Sequence, residues 1–133
     1  MGNRATVTAI YEAFGRGDIA LIMSQLRDDI DWEYDTVDRW IPWFVPGRGL
    51  ANVQHFFDVA MAKLEARGFQ LHDLLESEHS VAAIVSVHWL VRETGRELRD
   101  HEGHLWSFDA EGRASRLKHF CDTAAHLTAL GRR

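Results

Sequence analysis

The sequence predicts an α+β domain, with helices first and a hairpin-linked antiparallel sheet after them. Three observations carry this. Apolar residues recur at helical spacing between Val7 and Leu26 and again after Leu50. From Phe69 onward the period switches from 3.6 to 2. Turn residues then separate the remaining strand-like runs at Ser77–Ser80, Thr94–Arg96 and Asp109–Gly112. Helices followed by such a sheet make an α+β arrangement.

The elements follow in order. Val7, Ile10, Tyr11 and Phe14 form the apolar stripe of a first helix, which Gly15 and Gly17 end. Asp18 is an N-cap for a second helix carrying Ile19, Ile22, Met23 and Leu26. Over Asp28–Asp35 the apolar Ile30, Trp32 and Tyr34 alternate with acidic residues, the pattern of a half-buried strand. Thr36–Gly49 holds both prolines and two glycines and reads as a loop, yet it also holds Trp40, Trp43 and Phe44. An apolar loop of this kind is expected to lid a binding site from Asp38 to Gly49. Leu50–Arg67 predicts a third helix, stopped by Gly68. Strands are expected at Phe69–Glu76, Val81–Glu93, Glu97–Phe108 and Arg113–Cys121, followed by a short helix Thr123–Leu130 between Asp122 and Gly131.

A length of 133 residues suits one domain, 1–133, with room for one core. Apolar residues at 46% and charged residues at 26% exclude disordered and low-complexity classes. The net charge of -5 repels phosphate backbones, so no nucleic-acid partner is expected. A single cysteine, Cys121, excludes an internal disulfide framework and a cysteine-based zinc cluster, and fits a reducing, cytoplasmic setting. No signal segment and no run long enough to span a bilayer is visible, so no membrane partner is expected.

Against this background, 5 tryptophans and 8 histidines are many for the length. His88, His104 and His119 lie among apolar residues on strands expected to be neighbours, and Trp32 and Tyr34 present a similar face. Each imidazole could be a hydrogen-bonded core residue. Three on one face need three sets of partners, which a polar-lined pocket supplies. Three imidazoles can also hold zinc, but no His-x-His or His-Glu-x-x-His pairing exists, so no metal is expected. Asp122 reads as the cap of the last helix, with orientation of His119 as its second reading.

Several motifs together carry a family resemblance. Ile10-Tyr11-Glu12-Ala13-Phe14-Gly15-Arg16-Gly17-Asp18, Asp28-Asp29 before Trp32-Glu33, Gly47-Arg48-Gly49 before Phe56-Phe57, and Glu111-Gly112-Arg113 before Lys118–Ala125 resemble the SnoaL-like proteins. These belong to the nuclear-transport-factor-2-like superfamily, with ketosteroid isomerase and polyketide cyclases as relatives. The resemblance implies a cone-shaped α+β barrel, a curved antiparallel sheet wrapped around three N-terminal helices, and a pocket within. It implies a homodimer through the convex sheet face, for which the Val85, Val87, Trp89 stripe is the expected contact. The isomerase's two carboxylic acids would fall at about Tyr34 and His104, so that pair is expected to be absent. The cyclases' acid/base residue would fall at about His119.

The resulting expectation is a cofactor-free acid/base enzyme of isomerase, cyclase or hydratase type, acting on a small apolar molecule. A non-catalytic ligand-binding domain is the alternative. His119, His104 and Asp122 are the catalytic candidates; Trp32, Tyr34, Trp43, His88, Trp106 and Leu117 are the expected pocket walls.

Overall fold

A computed structural model describes residues 2–34 and 40–132. The predicted strand end at Asp35 and the first part of the predicted loop and lid fall in 35–39 and lie outside the described residues.

The first helix, α1 (Asn3–Arg16), buries Val7 and Ile10 of the predicted stripe together with Ala13, while Tyr11 and Phe14 are half-buried against the same core. Gly17 closes it at φ 71, a left-handed conformation that lets its N–H reach the carbonyls of Ala13 and Phe14. In α2 (Ile19–Ser24) the Asp18 carboxylate accepts from the Leu21 N–H at 3.1 Å, as an N-cap should. The first strand, β1 (Leu26–Trp32), starts two residues before the predicted Asp28, because Leu26 pairs with β6 instead of ending the helix. A two-residue strand, β2 (Gly47–Arg48), pairs with it.

The third helix, α3 (Leu50–Lys63), is shorter than predicted. Leu64 already has extended geometry and opens β3 (Leu64–Glu76), pairing with Val91 of β4 (Ser80–Val91). Gly68 therefore lies inside a strand opposite His88 and stops no helix. The ladder with β4 outweighs the helical spacing read between Leu64 and Gly68. After β5 (Arg96–Phe108) and β6 (Ala114–Phe120), α4 (Thr123–Ala129) starts on an Asp122 cap, the carboxylate accepting from Ala125 N at 3.2 Å.

The six strands form one sheet in the order β2-β1-β6-β5-β4-β3. All neighbours are antiparallel except β1 and β6, which run parallel. Register shifts between Ala66 and Gly68 and between Leu71 and Asp73 mark bulges, which bend a strand and curve the sheet. Inside the curve, α1, α2 and α3 contribute Val7, Ile10, Ile22, Val53 and Phe57 to a core shared with Ile30, Val81, Val85 and Trp106.

This placement corrects the expected dimer face. Val81, Ala83, Val85 and Val87 are all buried in the core of the single chain, and Trp89 packs edge-on against Phe14 of α1. The helices occupy the side that this stripe faces. The outer face of β4 is Ala82, Ile84, Ser86, His88 and Leu90.

Candidate active site

The site is built from alternate residues of β5 and β6. Inward-facing Glu102, His104 and Trp106 follow one another along β5, and His104 sits directly opposite His119 of β6. Glu102 Oε1 accepts hydrogen bonds from His119 Nε2 at 2.8 Å and His104 Nε2 at 3.1 Å. From α4, His126 Nε2 lies 3.5 Å from the other Glu102 oxygen and 3.0 Å from Asp100 Oδ2. Three imidazoles thus surround one buried carboxylate.

Burial works against ionisation of Glu102, but hydrogen bonds from His104, His119 and His126 overcome it and hold its carboxyl well below the usual carboxylate range. Burial also works against a charged His119. Its bonds to Glu102 and to Glu33, whose Oε1 lies 3.3 Å from Nδ1, outweigh burial and push its pKa up to about 10. His119 is therefore an imidazolium held between two carboxylates at neutral pH.

His104 behaves in the opposite way. Burial holds its pKa below the ordinary imidazole value, against the pull of Glu102. Its neutral tautomer is fixed by what lies on each side. An indole N–H only donates, so Trp106 Nε1 gives its hydrogen to the Tyr11 oxygen at 3.1 Å. Burial pushes the Tyr11 pKa up, which keeps its hydroxyl protonated, and that hydroxyl donates to His104 Nδ1 at 2.6 Å. The remaining ring proton sits on Nε2 and points at Glu102.

His126 feels two demands. Burial lowers its pKa, but bonds to Asp100, Cys121 and Glu102 outweigh burial and would push it up to about 11. The Trp43 indole N–H, however, donates to Nδ1 at 3.0 Å, which requires that nitrogen bare. We assign the neutral Nε2–H tautomer, since a protonated Nδ1 would set two donors against each other.

These groups form one wall of a cavity of about 120 Å³ whose other walls are apolar, among them Ile10, Phe14, Trp32, Phe56, Phe57, Phe69 and Leu117. Phe44 stands edge-on to His119, with ring centroids 5.6 Å apart, and Trp43 also lines the space. The aromatic loop therefore covers the site with Trp43 and Phe44, both buried, whereas Trp40 is 66% exposed.

Of the residues singled out from sequence, Trp32, Trp43, His104, Trp106, Leu117 and His119 meet at the cavity. Tyr34, His88 and Asp122 do not. Glu33 takes a left-handed φ of 51, so the alternation that placed Tyr34 beside Trp32 breaks there. Tyr34 instead lies under the Arg116 and Lys118 side chains, at 5.3 and 5.5 Å from its ring centroid. His88 pairs in register with Arg99, not with an inward residue, and its ring bonds Glu97 at 2.8 Å on the outer face. The Asp122 carboxylate caps α4, and its backbone N–H binds Asp100 at 3.1 Å, so it does not orient His119.

Sequence reasoning missed Glu33, Glu102, Asp100, Tyr11 and His126. Stepping the alternation back from His104 reaches Glu102 and then Asp100, so that signal was present. Helical spacing from Asp122 reaches His126. Nothing in the sequence marks the inward turn of Glu33. Tyr34 and His104 hold the positions at which the isomerase pair was expected to be absent, yet Glu33 and Glu102, one and two residues away, bring two carboxyl groups to the cavity.

Two groups could reach a common ion: Glu102, His104 and His119, and Asp100, Cys121 and His126, with donor atoms within 4.8 Å of one another in each. In the first group the hydrogen bonds already described account for the closeness. Among the described residues no helix is long and apolar enough to cross a membrane.

Comparison with known proteins places this geometry in a family. Residues 7–117 match the SnoaL-like domain. No curated protein matches the chain. A nuclear-transport-factor-2-like protein of Burkholderia thailandensis is 22% identical, with a TM-score of 0.86 over 98% of both chains. Another, of unknown function, from Burkholderia pseudomallei is 25% identical, with a TM-score of 0.83 over 96% of this chain and 95% of that one. A proposed polyketide cyclase of Pseudomonas putida is 17% identical, with a TM-score of 0.78 over 97% and 98%. With its helices inside a curved sheet and most of its length matched, the chain belongs to the SnoaL-like domain family.

Proposed function

We propose that the chain is a small-molecule enzyme performing acid/base chemistry, of isomerase, cyclase or hydratase type, on an apolar substrate. The observation that carries this is the His119–Glu102 pair, 2.8 Å apart on the polar wall of a largely apolar cavity. An imidazolium there can give a proton to a substrate oxygen, and the adjacent ionised Glu102 can balance the charge or receive a proton in return. Low dielectric around the pair strengthens both effects. No resident cofactor enters this reading. A cytoplasmic location, the single-domain organisation of 1–133 and a homodimer built on the outer sheet face belong to the same proposal.

One observation favours the binding-domain alternative: every ring nitrogen of His104, His119 and His126 has a partner within the chain. Deuterium uptake separates the two readings. A panel of apolar ketones and alkenes in D₂O should show enzyme-dependent incorporation at carbon for at least one compound. His119→Asn should slow that incorporation by roughly a hundredfold or more, the usual loss for a general acid/base. Incorporation no faster than in the protein-free control across the panel would leave the binding domain as the function.

A further inference from the structure

We propose that the indole N–H of Trp32 is a specificity-determining donor for an uncharged acceptor oxygen, a carbonyl or ether, on the apolar ligand. The inference rests on the reading that the cavity takes a small apolar molecule, and it names the polar handle that molecule must carry. Four tryptophans line the cavity, Trp32, Trp43, Trp89 and Trp106; Trp106 gives its N–H to Tyr11 and Trp43 gives its N–H to His126. The Trp32 N–H has no such acceptor. Its Nε1 is, among the described residues, the one buried side-chain nitrogen or oxygen without a partner. The residue is 3% exposed.

Its ring neighbours are Phe56, Phe57 and Trp106, at centroid distances of 5.3, 6.2 and 6.0 Å, and none of them offers a strong acceptor. A buried donor left unmet is costly, and native chains rarely keep one. Trp32 lines the cavity, so an acceptor from outside the chain would reach its N–H from that side, after a shift of the indole that uncovers the buried nitrogen.

The character of that acceptor follows from charge. No lysine or arginine lines the cavity, whereas Glu33 and Glu102 do. A carboxylate or phosphate would be set against two acidic residues, and the one cation there, the His119 imidazolium, is already engaged by both. A neutral oxygen avoids both penalties. Size agrees: about 120 Å³ is close to the roughly 150 Å³ cavity that accepts a benzene ring. The ligand class is therefore an uncharged, ring-sized apolar molecule with one carbonyl or ether oxygen directed toward Trp32.

Acetophenone and α-methylstyrene test this, because they share a shape and differ by an oxygen against a methylene. Both would be titrated into ¹⁵N-labelled protein while the indole N–H resonances are followed, with Trp32 identified by the signal lost in Trp32→Phe. Acetophenone should bind about tenfold tighter than α-methylstyrene, the worth of one net hydrogen bond. It should also move the Trp32 resonance downfield, and in Trp32→Phe the two affinities should fall within about twofold of each other. A preference that persists in Trp32→Phe would overturn the assignment, as would a Trp32 resonance that responds equally to both probes or stays fixed at saturation because ordered water already holds it. The resonance test uses the wild-type protein, so it stands even if Trp32→Phe folds poorly. Should neither probe perturb any cavity residue, the small-molecule reading itself fails and takes this inference with it; binding of both without preference removes only the Trp32 assignment.

Discussion

Glu102 and His119 face each other across adjacent strands, with the imidazole Nε2 donating to the carboxylate Oε1 at 2.8 Å. Both are charged, and both are largely shielded from water by an aromatic cavity and by the loop that carries Phe44. A buried ion pair is weak support for stability in general, but removing one member leaves an uncompensated charge. Here Glu33 adds a second carboxylate, so loss of the His119 charge leaves two acids facing each other's field.

That arrangement predicts a pH-dependent stability. The fold raises the His119 pKa from 6.5 to about 10, so the folded state binds this proton more tightly than the unfolded chain does. The stabilisation is fully present below pH 6.5 and is lost as pH rises through about 10. Melting temperature should therefore fall from pH 7 to pH 10 more steeply in the wild type than in His119→Asn. Parallel melting curves for the two proteins across this range would contradict the pairing.

The Trp106–Tyr11–His104 chain predicts a cost for losing one oxygen. Tyr11→Phe keeps the ring stacked on Phe69, 5.4 Å between centroids, but leaves the Trp106 N–H and His104 Nδ1 unpaired. Each unmet buried group costs about 1–3 kcal/mol. Urea unfolding should show a lower midpoint with an unchanged m-value, since the exposed area on unfolding is the same. A midpoint equal to that of the wild type would mean that His104 is not held by the phenol.

The outer sheet face predicts the assembly state. Leu75, Ile84 and Phe120 are 53%, 40% and 54% exposed, and register places them over neighbouring strands on one face. Exposed apolar residues gathered this way mark an interaction surface, and two-fold pairs are the commonest assemblies. Sedimentation at micromolar concentration should show a species of twice the chain mass, and Ile84→Lys should reduce it to the single chain. A wild-type protein that sediments as one chain would remove the homodimer.

Much of the fold was legible because local and global preferences agree. The Val7, Ile10, Phe14 stripe, the Asp18 and Asp122 caps and the turn at Asp109–Gly112 each need only near neighbours to act. The end of α3 was not legible, because pairing of Leu64 with Val91 is a long-range term that helical spacing does not register. Strand parity was read correctly within β4, but which side faced the helices depends on the whole sheet. That is why Val85 was expected outside and His88 inside, and both are reversed. In the site, His104, His119, Trp106 and Leu117 followed from alternation. Glu102 obeyed the same rule and was overlooked, while Glu33 escaped it through one backbone angle.

That angle sets stability against chemistry at a single position. A left-handed conformation is unfavourable by about 1–2 kcal/mol for a residue with a Cβ, and φ at Glu33 is 51. Glycine would relieve the strain. It would also delete the carboxylate that accepts the Val45 N–H at 2.8 Å and faces His119. A search for thermostable variants would be drawn to this position by its backbone, and the glycine variants it favoured would carry a loosened cover and a less acidic surrounding for His119. Glu33 is thus where optimising the fold and preserving the site pull a designer in opposite directions.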